Sequence, residues 1–288
     1  MRRDSVLIIG ADSLIGRSLL HQLSKDRKDV IGTTRKKDRV GENRIFLDLG
    51  KNLDRFQLSE SLRTAIICAG ITKLDQCERT PEETSLINVD ATLFLLKKLG
   101  ERNIRVIFLS SSQVFDGSKP FRDPNDELCP TTEYGRQKAI IERKIPSLCE
   151  HSTIVRITKV IFSRFPLFSS WYDSLSTKNQ IQPFSDMVMS PVSVEFVVKL
   201  LDLIIKKRVF GIFQVSNTKD VTYHRIALWL AEKYGFDRSL VRPLTAQDAD
   251  YAYPIPRATT LDIYRILHEL GLKPPNVRKT IEAVFPNP

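Results

Sequence analysis

Short apolar runs separated by segments of helical periodicity are the feature that most constrains the fold of this chain. The runs show no alternation of polar and apolar residues, which is typical of strands covered on both faces in a parallel sheet. Between them, apolar residues recur at intervals of three and four, as in amphipathic helices. This order predicts an α/β protein with a doubly wound parallel sheet of the Rossmann type. The runs lie at residues 6–9, 30–33, 45–47, 65–69, 106–109 and 154–161, and the helical segments are clearest at residues 14–23 and 86–99.

The regular series ends after residue 161, where several prolines divide the chain into shorter pieces. We therefore predict two domains: a dinucleotide-binding Rossmann domain over residues 1–160 and a smaller α+β substrate-binding lobe over residues 161–288. Part of the lobe, about residues 190–217, is expected to return and pack on the sheet. The elements predicted in this half are helices at residues 194–205, 223–234 and 261–270 and a strand at residues 211–215.

Composition limits the compartment in which this protein works. With 42% hydrophobic residues in a chain of 288, a substantial core can be buried. No stretch approaches the roughly 18 consecutive apolar residues that a membrane-spanning helix needs. Cys68, Cys77, Cys129 and Cys149 lack the paired spacing of a disulfide framework or a zinc site. We therefore expect a cytoplasmic protein with no membrane partner.

The formal net charge of +10 raises the question of a nucleic-acid partner. The lysines and arginines are scattered, apart from the run at residues 35–39, and no nucleic-acid-binding motif accompanies them. An anionic small molecule or plain surface solvation accounts for the surplus at least as well, so no nucleic-acid partner is expected. The four histidines lie far apart without a metal-binding pattern, so no metal site is expected either.

The turn after the first predicted strand reads GADSLIG, residues 10–16, and opens the first predicted helix. A dinucleotide fold binds its pyrophosphate at this point, where backbone amides at the helix N-terminus supply positive potential. We therefore assign Gly10, Ser13, Leu14, Ile15 and Gly16 to the cofactor site. Ser13 stands where the middle glycine of the motif is expected, and two roles are open for its hydroxyl: capping the helix or donating to a phosphate.

The end of the second predicted strand carries cations, Arg35 and Lys36, where a carboxylate would bind the ribose of NAD. Guanidinium and ammonium groups suit a ribose 2′-phosphate, so we predict that NADP(H) is favoured over NAD(H). The alternative is a solvated charged loop.

Two later strand ends complete the predicted cofactor site. Asp48 and Leu49 end the third strand and are assigned to the adenine, although Asp48 would equally serve to cap the next turn. Gly70 ends the fourth strand and has no side chain to block a dinucleotide that lies across the sheet edge.

The fifth predicted strand ends in serines, FLSSSQVFDG at residues 108–117, and YGRQK follows at residues 134–138. On a helix, Tyr134 and Lys138 share one face because they are four residues apart. A nearby ammonium is expected to lower the pKa of the phenol, so that it exchanges a proton with a carbonyl oxygen while a serine hydroxyl holds that oxygen. The pattern therefore predicts a redox site built from a strand-end serine, Tyr134 and Lys138.

Together these motifs resemble the extended short-chain dehydrogenase/reductases, and among them the dTDP-4-dehydrorhamnose reductase group. The resemblance spans nearly the whole chain. It implies an NADPH-dependent ketoreductase that reduces the 4-keto group of an anionic, nucleotide-linked deoxysugar. Oligomeric state stays open, although many members pair through helices of the first domain, which makes a homodimer one expectation. The stretches that carry the resemblance are GADSLIG, CAGITKLDQCE followed by Asn88, LSSSQVFDG, YGRQK and, more loosely, PRATTLD.

The resemblance also assigns roles to single residues. In that group the fifth strand ends in Ser-Thr-Asp-Tyr-Val-Phe-Asp-Gly, and alignment on residues 114–117 puts the catalytic hydroxyl at Ser111. Glu78 is expected to line the cleft or to serve as a helix-start carboxylate. The resemblance implies cofactor contacts at Ala69, Asn88, Ser110 and Lys138, and substrate contacts at Thr72, Asp75, Ser112 and Gln113.

Departures from the group bear on the substrate. Ser112 and Gln113 replace the group's Asp-Tyr and remove the acid that a sugar-nucleotide 4,6-dehydratase needs, which argues against dehydration. Lys159 replaces a tryptophan near the substrate, so a cation there either pairs with a phosphate or carboxylate or points to solvent. Arg257 and Trp171 are further candidates for the diphosphate and the base, with surface charge and core packing as their alternatives.

Two alternatives to the reductase remain open at this point. The same groups would serve a nucleotide-sugar epimerase that retains its NAD. A non-catalytic, NADP-binding regulatory subunit would keep the fold and depart from the reductase pattern, as Ser13 and Lys159 do.

Overall fold

The structure is a computed structural model that describes residues 5–26, 29–51 and 53–286. The chain forms two compact units. Unit 1 contains the described residues up to 115 together with residues 127–156 and 197–213, and unit 2 contains residues 116–126, 157–196 and the described residues from 214 onward.

This division differs from the one expected from the sequence in two respects. Residues 197–213, within the segment expected to return to the sheet, do belong to unit 1, but the main boundary falls at residue 156 rather than 160. Residues 116–126 belong to unit 2, which no composition shift in the sequence indicates. Backbone hydrogen bonds hold this excursion in unit 2, from Phe121 N to Thr260 O (2.9 Å) and from Ala258 N to Gly117 O (3.0 Å).

The strands of unit 1 come mostly from the continuous apolar runs of the sequence. Within the described residues the strands are β1 (Ser5–Ile9), β2 (Val30–Thr34), β3 (Arg44–Phe46), β4 (Leu62–Ile67), β5 (Arg105–Ser111), β6 (Ser152–Ile157), β7 (Lys159–Ile161), β8 (Val188–Met189), β9 (Pro191–Ser193), β10 (Gly211–Val215) and β11 (Val221–Thr222).

A seven-stranded sheet in the described part of the chain has the order β10-β6-β5-β4-β1-β2-β3. Neighbours β1 and β2, β1 and β4, β2 and β3, and β4 and β5 pair in parallel. The order reverses between β1 and β4, which is the switch point of a doubly wound sheet and the usual place for a ligand. The fold class predicted from the sequence is thereby confirmed.

The helices cover both faces of this sheet or build unit 2. No helix in the described ranges combines the length and apolarity that a bilayer crossing requires. The described helices are α1 (Leu14–Asp26), α2 (Leu74–Arg79), α3 (Pro81–Ser85), α4 (Thr92–Gly100), α5 (Glu133–Leu148), α6 (Pro166–Ser176), α7 (Val194–Lys207), α8 (Tyr223–Tyr234), α9 (Tyr264–His268) and α10 (Val277–Glu282), with a π-helical turn at Leu86–Ala91.

The π-helical turn changes which side chains of the long apolar segment are buried. The periodicity from residue 86 to 99 places Leu86 on the same face as Leu96 and Leu99. The structure buries Leu96 and Leu99 completely but leaves Leu86 60% exposed. The wider turn rotates the residues before it relative to those after it, so the prediction of a single continuous face was wrong at its first residue.

The apolar run at residues 154–161 forms two strands rather than one. β6 ends at Ile157 in the large sheet, and β7 begins at Lys159 and pairs with β9. Thr158 N, between them, donates to Val215 O at 3.0 Å. The predicted tail helix is also shorter than expected, because only Tyr264–His268 is helical.

Unit 2 has a core of its own, in which aromatic rings pack edge to face and obliquely. Phe168 is completely buried and its ring centroid lies 5.7 Å from those of Trp171 and Phe285. Trp171 is therefore a packing residue, and its candidate role in stacking on a base was wrong.

Candidate active site

A cleft of about 400 Å³ opens in unit 1 at the carboxyl ends of β1 to β4, at the switch point of the sheet. The loop after β4 and the start of α2 form its other wall. Its lining residues are Ile9, Gly10, Asp12, Ser13, Thr33, Arg35, Leu47, Asp48, Leu49, Ala69, Gly70, Ile71, Thr72, Lys73, Gln76 and Ile87.

The turn between β1 and α1 approaches its neighbours too closely for side chains. Gly10 has φ +89°, and a Cβ there would lie 2.6 Å from the backbone nitrogen of Ala69. A Cβ on Gly16 would lie 2.3 Å from the carbonyl oxygen of Gly10. Both glycines of the motif are therefore required by the fold, independently of any ligand.

Ser13 caps helix α1, which decides between the two roles left open by the sequence. Its hydroxyl donates to Gly10 O at 2.8 Å and accepts from Gly16 N at 3.1 Å. The backbone amides of Leu14 and Ile15 belong to the first turn of α1, whose N–H groups have no partner within a helix. Of the five residues assigned to this turn, Gly10 and Ser13 line the cleft, whereas Leu14, Ile15 and Gly16 do not.

Basic residues lie at the end of the cleft formed by β2 and β3, but not all those predicted. Arg35 lines the cleft, and it also lines an adjoining cavity of about 810 Å³ together with Lys37, Lys51 and Arg55. Lys36 is exposed and lines neither cavity. The predicted cofactor contact at Lys36 is therefore corrected. The backbone after β2 turns so that Arg35 and Lys37, on either side of Lys36, line the adjoining cavity instead.

A carboxylate in this region, Asp12, is already engaged. It accepts hydrogen bonds from Thr34 Oγ1 at 2.6 Å and Arg39 Nη1 at 3.1 Å, and Arg44 Nη1 lies 3.6 Å away. Partial burial opposes ionisation of Asp12, but the hydrogen bonds from Thr34 and Arg39 and the two guanidinium charges outweigh it and lower the pKa.

The other predicted strand-end residues line the cleft. Asp48 and Leu49 lie at its wall after β3, and Asp48 also accepts a hydrogen bond from Gly50 N at 3.0 Å. Ala69 and Gly70 lie after β4. A Cβ on Gly70 would lie 3.9 Å from the Lys138 ammonium nitrogen, so Lys138 stands directly behind the cleft wall.

The Ser111 hydroxyl lies close enough to the Tyr134 phenol to oppose the rise in its pKa. Ser111 is the last residue of β5, and Tyr134 lies in the first turn of α5. Gln113 N donates to Ser111 Oγ at 3.2 Å, which leaves the hydroxyl proton of Ser111 free for another acceptor.

Lys138 lies one helical turn after Tyr134 and is 7% exposed. Its Nζ donates to Leu109 O at 2.8 Å and lies 4.5 Å from the ring centroid of Phe108 and 5.7 Å from that of Tyr134. The ammonium therefore lies over the face of the phenol ring.

The pKa of Tyr134 shifts in the direction opposite to the one expected from the sequence. Burial raises the pKa of Tyr134, Cys77 adds to the rise, and the Ser111 hydroxyl opposes it. The prediction that Lys138 lowers this pKa was wrong for this structure. Burial lowers the pKa of Lys138 itself to about 8, against an opposing contribution from Glu142.

Ser110 points away from the cleft and into a buried ion pair. Its hydroxyl donates to Glu142 Oε1, and Arg156 Nη2 donates to Glu142 Oε2 at 2.7 Å. The side chains of Glu142 and Arg156 are each 2% exposed. The predicted cofactor contact at Ser110 is therefore corrected to a role in joining β5 to α5 and β6.

Asn88 is also buried behind the cleft wall and does not line it. Its Oδ1 accepts from Ile71 N at 2.7 Å, and its Nδ2 donates to Ile71 O at 2.9 Å and to Gln137 Oε1 at 2.7 Å. The predicted cofactor contact at Asn88 is thus replaced by a bridge between the cleft loop and α5.

Side chains from outside α5 fix its first turn. Thr132 Oγ1 accepts from Gly135 N at 3.1 Å as the N-cap, and Glu78 Oε1 accepts from Glu133 N at 2.7 Å. Glu78 is therefore a helix-start carboxylate, although for α5 rather than for α2. A threonine just before a helical segment is the sequence signal that identifies such a cap.

The residues predicted to contact substrate are divided between the two units. In unit 1, Thr72 lines the cleft, and Ser112 and Gln113 form the short turn after β5. Asp75 does not line the cleft, because it lies on the exposed side of α2, where it pairs with Arg79 at 2.9 Å.

Unit 2 holds the other two, Lys159 and Arg257, both exposed. Although Lys159 as a whole is exposed, protein atoms crowd its ammonium, which lies 5.7 Å from the ring centroid of Phe165, and this desolvation lowers its pKa.

Sequence reasoning missed some lining residues, namely Lys73 and Gln76 at the start of α2 and Ile87 in the π-helical turn. Lys73 and Gln76 are polar residues in a loop and a short helix, where no periodicity marks the face that a ligand meets.

A Rossmann sheet with this cleft at its switch point, and with a serine, a tyrosine and a lysine gathered beside it, defines an NAD(P)-dependent oxidoreductase of the extended short-chain dehydrogenase/reductase type. The family follows from comparison with known proteins. Residues 3–287 match the family described as RmlD substrate binding domain, and the chain belongs to this family, that of the dTDP-4-dehydrorhamnose reductases.

Individual relatives are distant but match over nearly the full chain. A probable low-salt glycan biosynthesis reductase, Agl14, from Haloferax volcanii is 25% identical over 287 residues, covering 96% of each chain. The methionine adenosyltransferase 2 subunit beta of Bos taurus is also 25% identical, covering 93% of this chain and 82% of its own. The crystal structure of dTDP-4-dehydrorhamnose reductase from Bacillus anthracis in complex with NADP superposes with a TM-score of 0.83 at 20% identity, covering 98% of each chain.

Proposed function

We propose that this protein is an NADPH-dependent ketoreductase of a nucleotide-linked 4-keto-6-deoxy sugar or a similar anionic keto substrate. The observation that carries the proposal is that the Ser111 hydroxyl lies close enough to the Tyr134 phenol to affect its pKa, with the Lys138 ammonium over the Tyr134 ring. Because Lys138 stands behind Gly70 in the cleft wall, this group adjoins the cleft at the switch point.

The cleft fits a dinucleotide because Gly10 and Gly70 keep its walls free of side chains between the turn of α1 and the loop after β4. In the proposed site the amides of Leu14 and Ile15 bind the pyrophosphate, and Asp48 and Leu49 contact the adenosine. A nicotinamide cofactor, when bound, supplies a hydride to the substrate carbonyl.

Tyr134 is proposed as the proton donor. Its raised pKa keeps the phenol protonated at neutral pH, which suits a general acid that gives its proton to the carbonyl oxygen as the alcohol forms. Ser111 holds the same oxygen through its hydroxyl, whose lone pair is already engaged by Gln113 N. Lys138 is held in place by Leu109 O and keeps positive charge beside the cleft.

The preference for NADPH is proposed from the charge at the adenine end. Arg35 lies between the cleft and the adjoining cavity, and Lys37, Lys51 and Arg55 line that cavity with it. Four cations suit a 2′-phosphate, and Asp12 is engaged by Thr34 and Arg39 and so is not available to ribose hydroxyls.

Thr72, Ser112 and Gln113 are the proposed substrate contacts of unit 1, and Lys159 and Arg257 are each proposed on their own charge. Lys159 and Arg257 are exposed cations, which suit a diphosphate or carboxylate.

All four cysteines are free thiols, which supports a reducing, cytoplasmic location.

The test is turnover of the wild-type protein with a dTDP-4-keto-6-deoxy sugar and either NADPH or NADH. We expect NADPH oxidation matched by a product that has gained two hydrogens, with kcat/KM for NADPH at least about tenfold above that for NADH, as a paired 2′-phosphate provides. Absence of turnover across a panel of nucleotide-linked keto sugars, with NADPH still bound, would favour a regulatory subunit. Copurified NAD(H) without net NADPH consumption would favour an epimerase.

A further inference from the structure

Two buried amide side chains, Asn88 and Gln137, join the cleft to the helix that carries Tyr134 and Lys138. Gln137 is 1% exposed and Asn88 5% exposed. Gln137 precedes Lys138 directly in sequence, but its side chain points to the π-helical turn and α3 rather than to the cleft.

Every polar atom of the two amides has a partner. Gln137 Oε1 accepts from Asn88 Nδ2 at 2.7 Å. Gln137 Nε2 lies within hydrogen-bonding distance of Thr84 Oγ1 (2.9 Å), Glu133 Oε1 (3.0 Å) and Pro81 O (3.3 Å). On the other side, Asn88 exchanges two hydrogen bonds with the backbone of Ile71.

This network connects the parts of unit 1 that must be in register for catalysis. Ile71 and its neighbour Gly70 line the cleft, and a Cβ on Gly70 would lie 3.2 Å from Asn88 Oδ1. Gln137 is anchored on the same helix as Tyr134 and Lys138. The hydrogen bond between Asn88 and Gln137 therefore links the position of the Gly70–Ile71 loop to that of α5.

The π-helical turn at Leu86–Ala91 is part of the same arrangement. Such turns widen a helix by one residue and are frequent at functional sites. Here the turn coincides with an inward Asn88 and an outward Leu86, which is 60% exposed. An apolar pair would fill this space without desolvating two amides, so the polar contact is better explained by the geometry it specifies than by the stability it adds.

We propose that Gln137 is a positioning residue for the reductase, which acts through Asn88 to hold the Gly70–Ile71 loop in register with Tyr134 and Lys138. This inference rests on the proposed function for its consequence in catalysis. Misplacement of reacting groups by about 1 Å lowers rates by up to a hundredfold, so loss of the contact is expected to lower kcat more than it changes KM.

The test compares full-length Gln137→Met with Ile140→Met, a matched change to methionine at an exposed position of α5. We expect Gln137→Met to lower kcat at least about tenfold, with KM for NADPH and substrate changed by less than about threefold. Ile140→Met should leave both unchanged. A kcat for Gln137→Met equal to that of the wild type would overturn the proposal.

Hydrogen exchange gives a readout that does not need turnover. The Ile71 N–H donates to Asn88 Oδ1, so it should exchange faster in Gln137→Met, while the amide of Ile145, in the last turn of α5, is unchanged. Unchanged exchange at Ile71 contradicts the proposal even if the wild type proves inactive, which would separately refute the reductase. Should Gln137→Met not fold, Thr84→Val removes one partner of Gln137 Nε2 and should show the same changes at smaller size; no change in that variant would also overturn the proposal.

Discussion

The Lys138 ammonium is 7% exposed and held by one carbonyl oxygen, at Leu109. Burial lowers its pKa to about 8 from its usual 10.5, and Glu142, on the next turn of α5, opposes this change. Lys138 is therefore harder to protonate in the folded protein than in the unfolded chain. Protonation of Lys138 at neutral pH is retained at the expense of stability, which is expected of a group whose charge serves function.

The pH dependence of stability tests this account of Lys138. Because the pKa of Lys138 is lower in the folded state, its charge lowers the free energy of unfolding. This unfavourable contribution is full below pH 8 and disappears as pH rises from about 8 to above 10.5. The unfolding free energy of the wild type, relative to Lys138→Met, should therefore increase by roughly 3 kcal/mol across this window. Denaturant unfolding of both proteins at pH 7 and pH 10.5 measures it, and a constant difference would contradict the assignment.

Sequence reasoning identified strand ends that line the cleft but not which way each side chain points. Successive residues of a strand face opposite sides of the sheet. Ser111 consequently meets Tyr134, whereas Ser110 meets Glu142 on the other side. The sign of the Tyr134 pKa shift was missed for a related reason: helical spacing gives the distance to Lys138 but not the depth of burial that dominates.

Helix α5 packs so closely on the turn after β5 that one of its positions admits no side chain. A Cβ on Gly135 would lie 2.0 Å from the carbonyl oxygen of Gln113. Glycine normally weakens a helix by about 1 kcal/mol relative to alanine, so its presence here reflects the contact rather than helix propensity. The close approach brings Tyr134 to the end of β5.

Replacement of Gly135 separates the effect of helix propensity from that of the close contact with Gln113. We expect Gly135→Ala to destabilise the protein by about 1–3 kcal/mol, because the overlap with Gln113 exceeds the gain in helix propensity. Gly41→Ala is the matched control, since nothing lies within 4 Å of its Cβ, and should change stability by less than about 0.5 kcal/mol. Thermal and denaturant unfolding provide the measurement, and a stabilised Gly135→Ala protein would refute the packing argument.

The elements of the large sheet could be predicted because most of its strands contain a continuous apolar run. The π-helical turn could not, since periodicity from residue 86 to 99 fits an uninterrupted helix equally well. The division of residues 154–161 into β6 and β7 was also hidden, because both strands are apolar and the change of sheet at Thr158 depends on a hydrogen bond to Val215.

For the whole molecule, the resemblance to reductases that pair through helices leads us to expect a homodimer. Leu86 (60%) and Phe94 (40%) are large apolar side chains that are exposed in the helical region of unit 1. Light scattering should give a mass twice the 33.0 kDa of one chain. Phe94→Glu should shift the mass toward one chain, because it introduces a charge into an apolar contact. A single-chain mass for the wild type would contradict this expectation.

The most direct test of the central claim, that Tyr134 donates the proton in a ketone reduction beside Ser111, is turnover by Tyr134→Phe measured with NADPH affinity on the same sample. The variant keeps the ring over which Lys138 lies and removes only the hydroxyl near Ser111. We predict a fall in kcat of at least about a hundredfold, the scale of a lost general acid, with NADPH affinity within about threefold of the wild type. Turnover equal to that of the wild type would contradict the account.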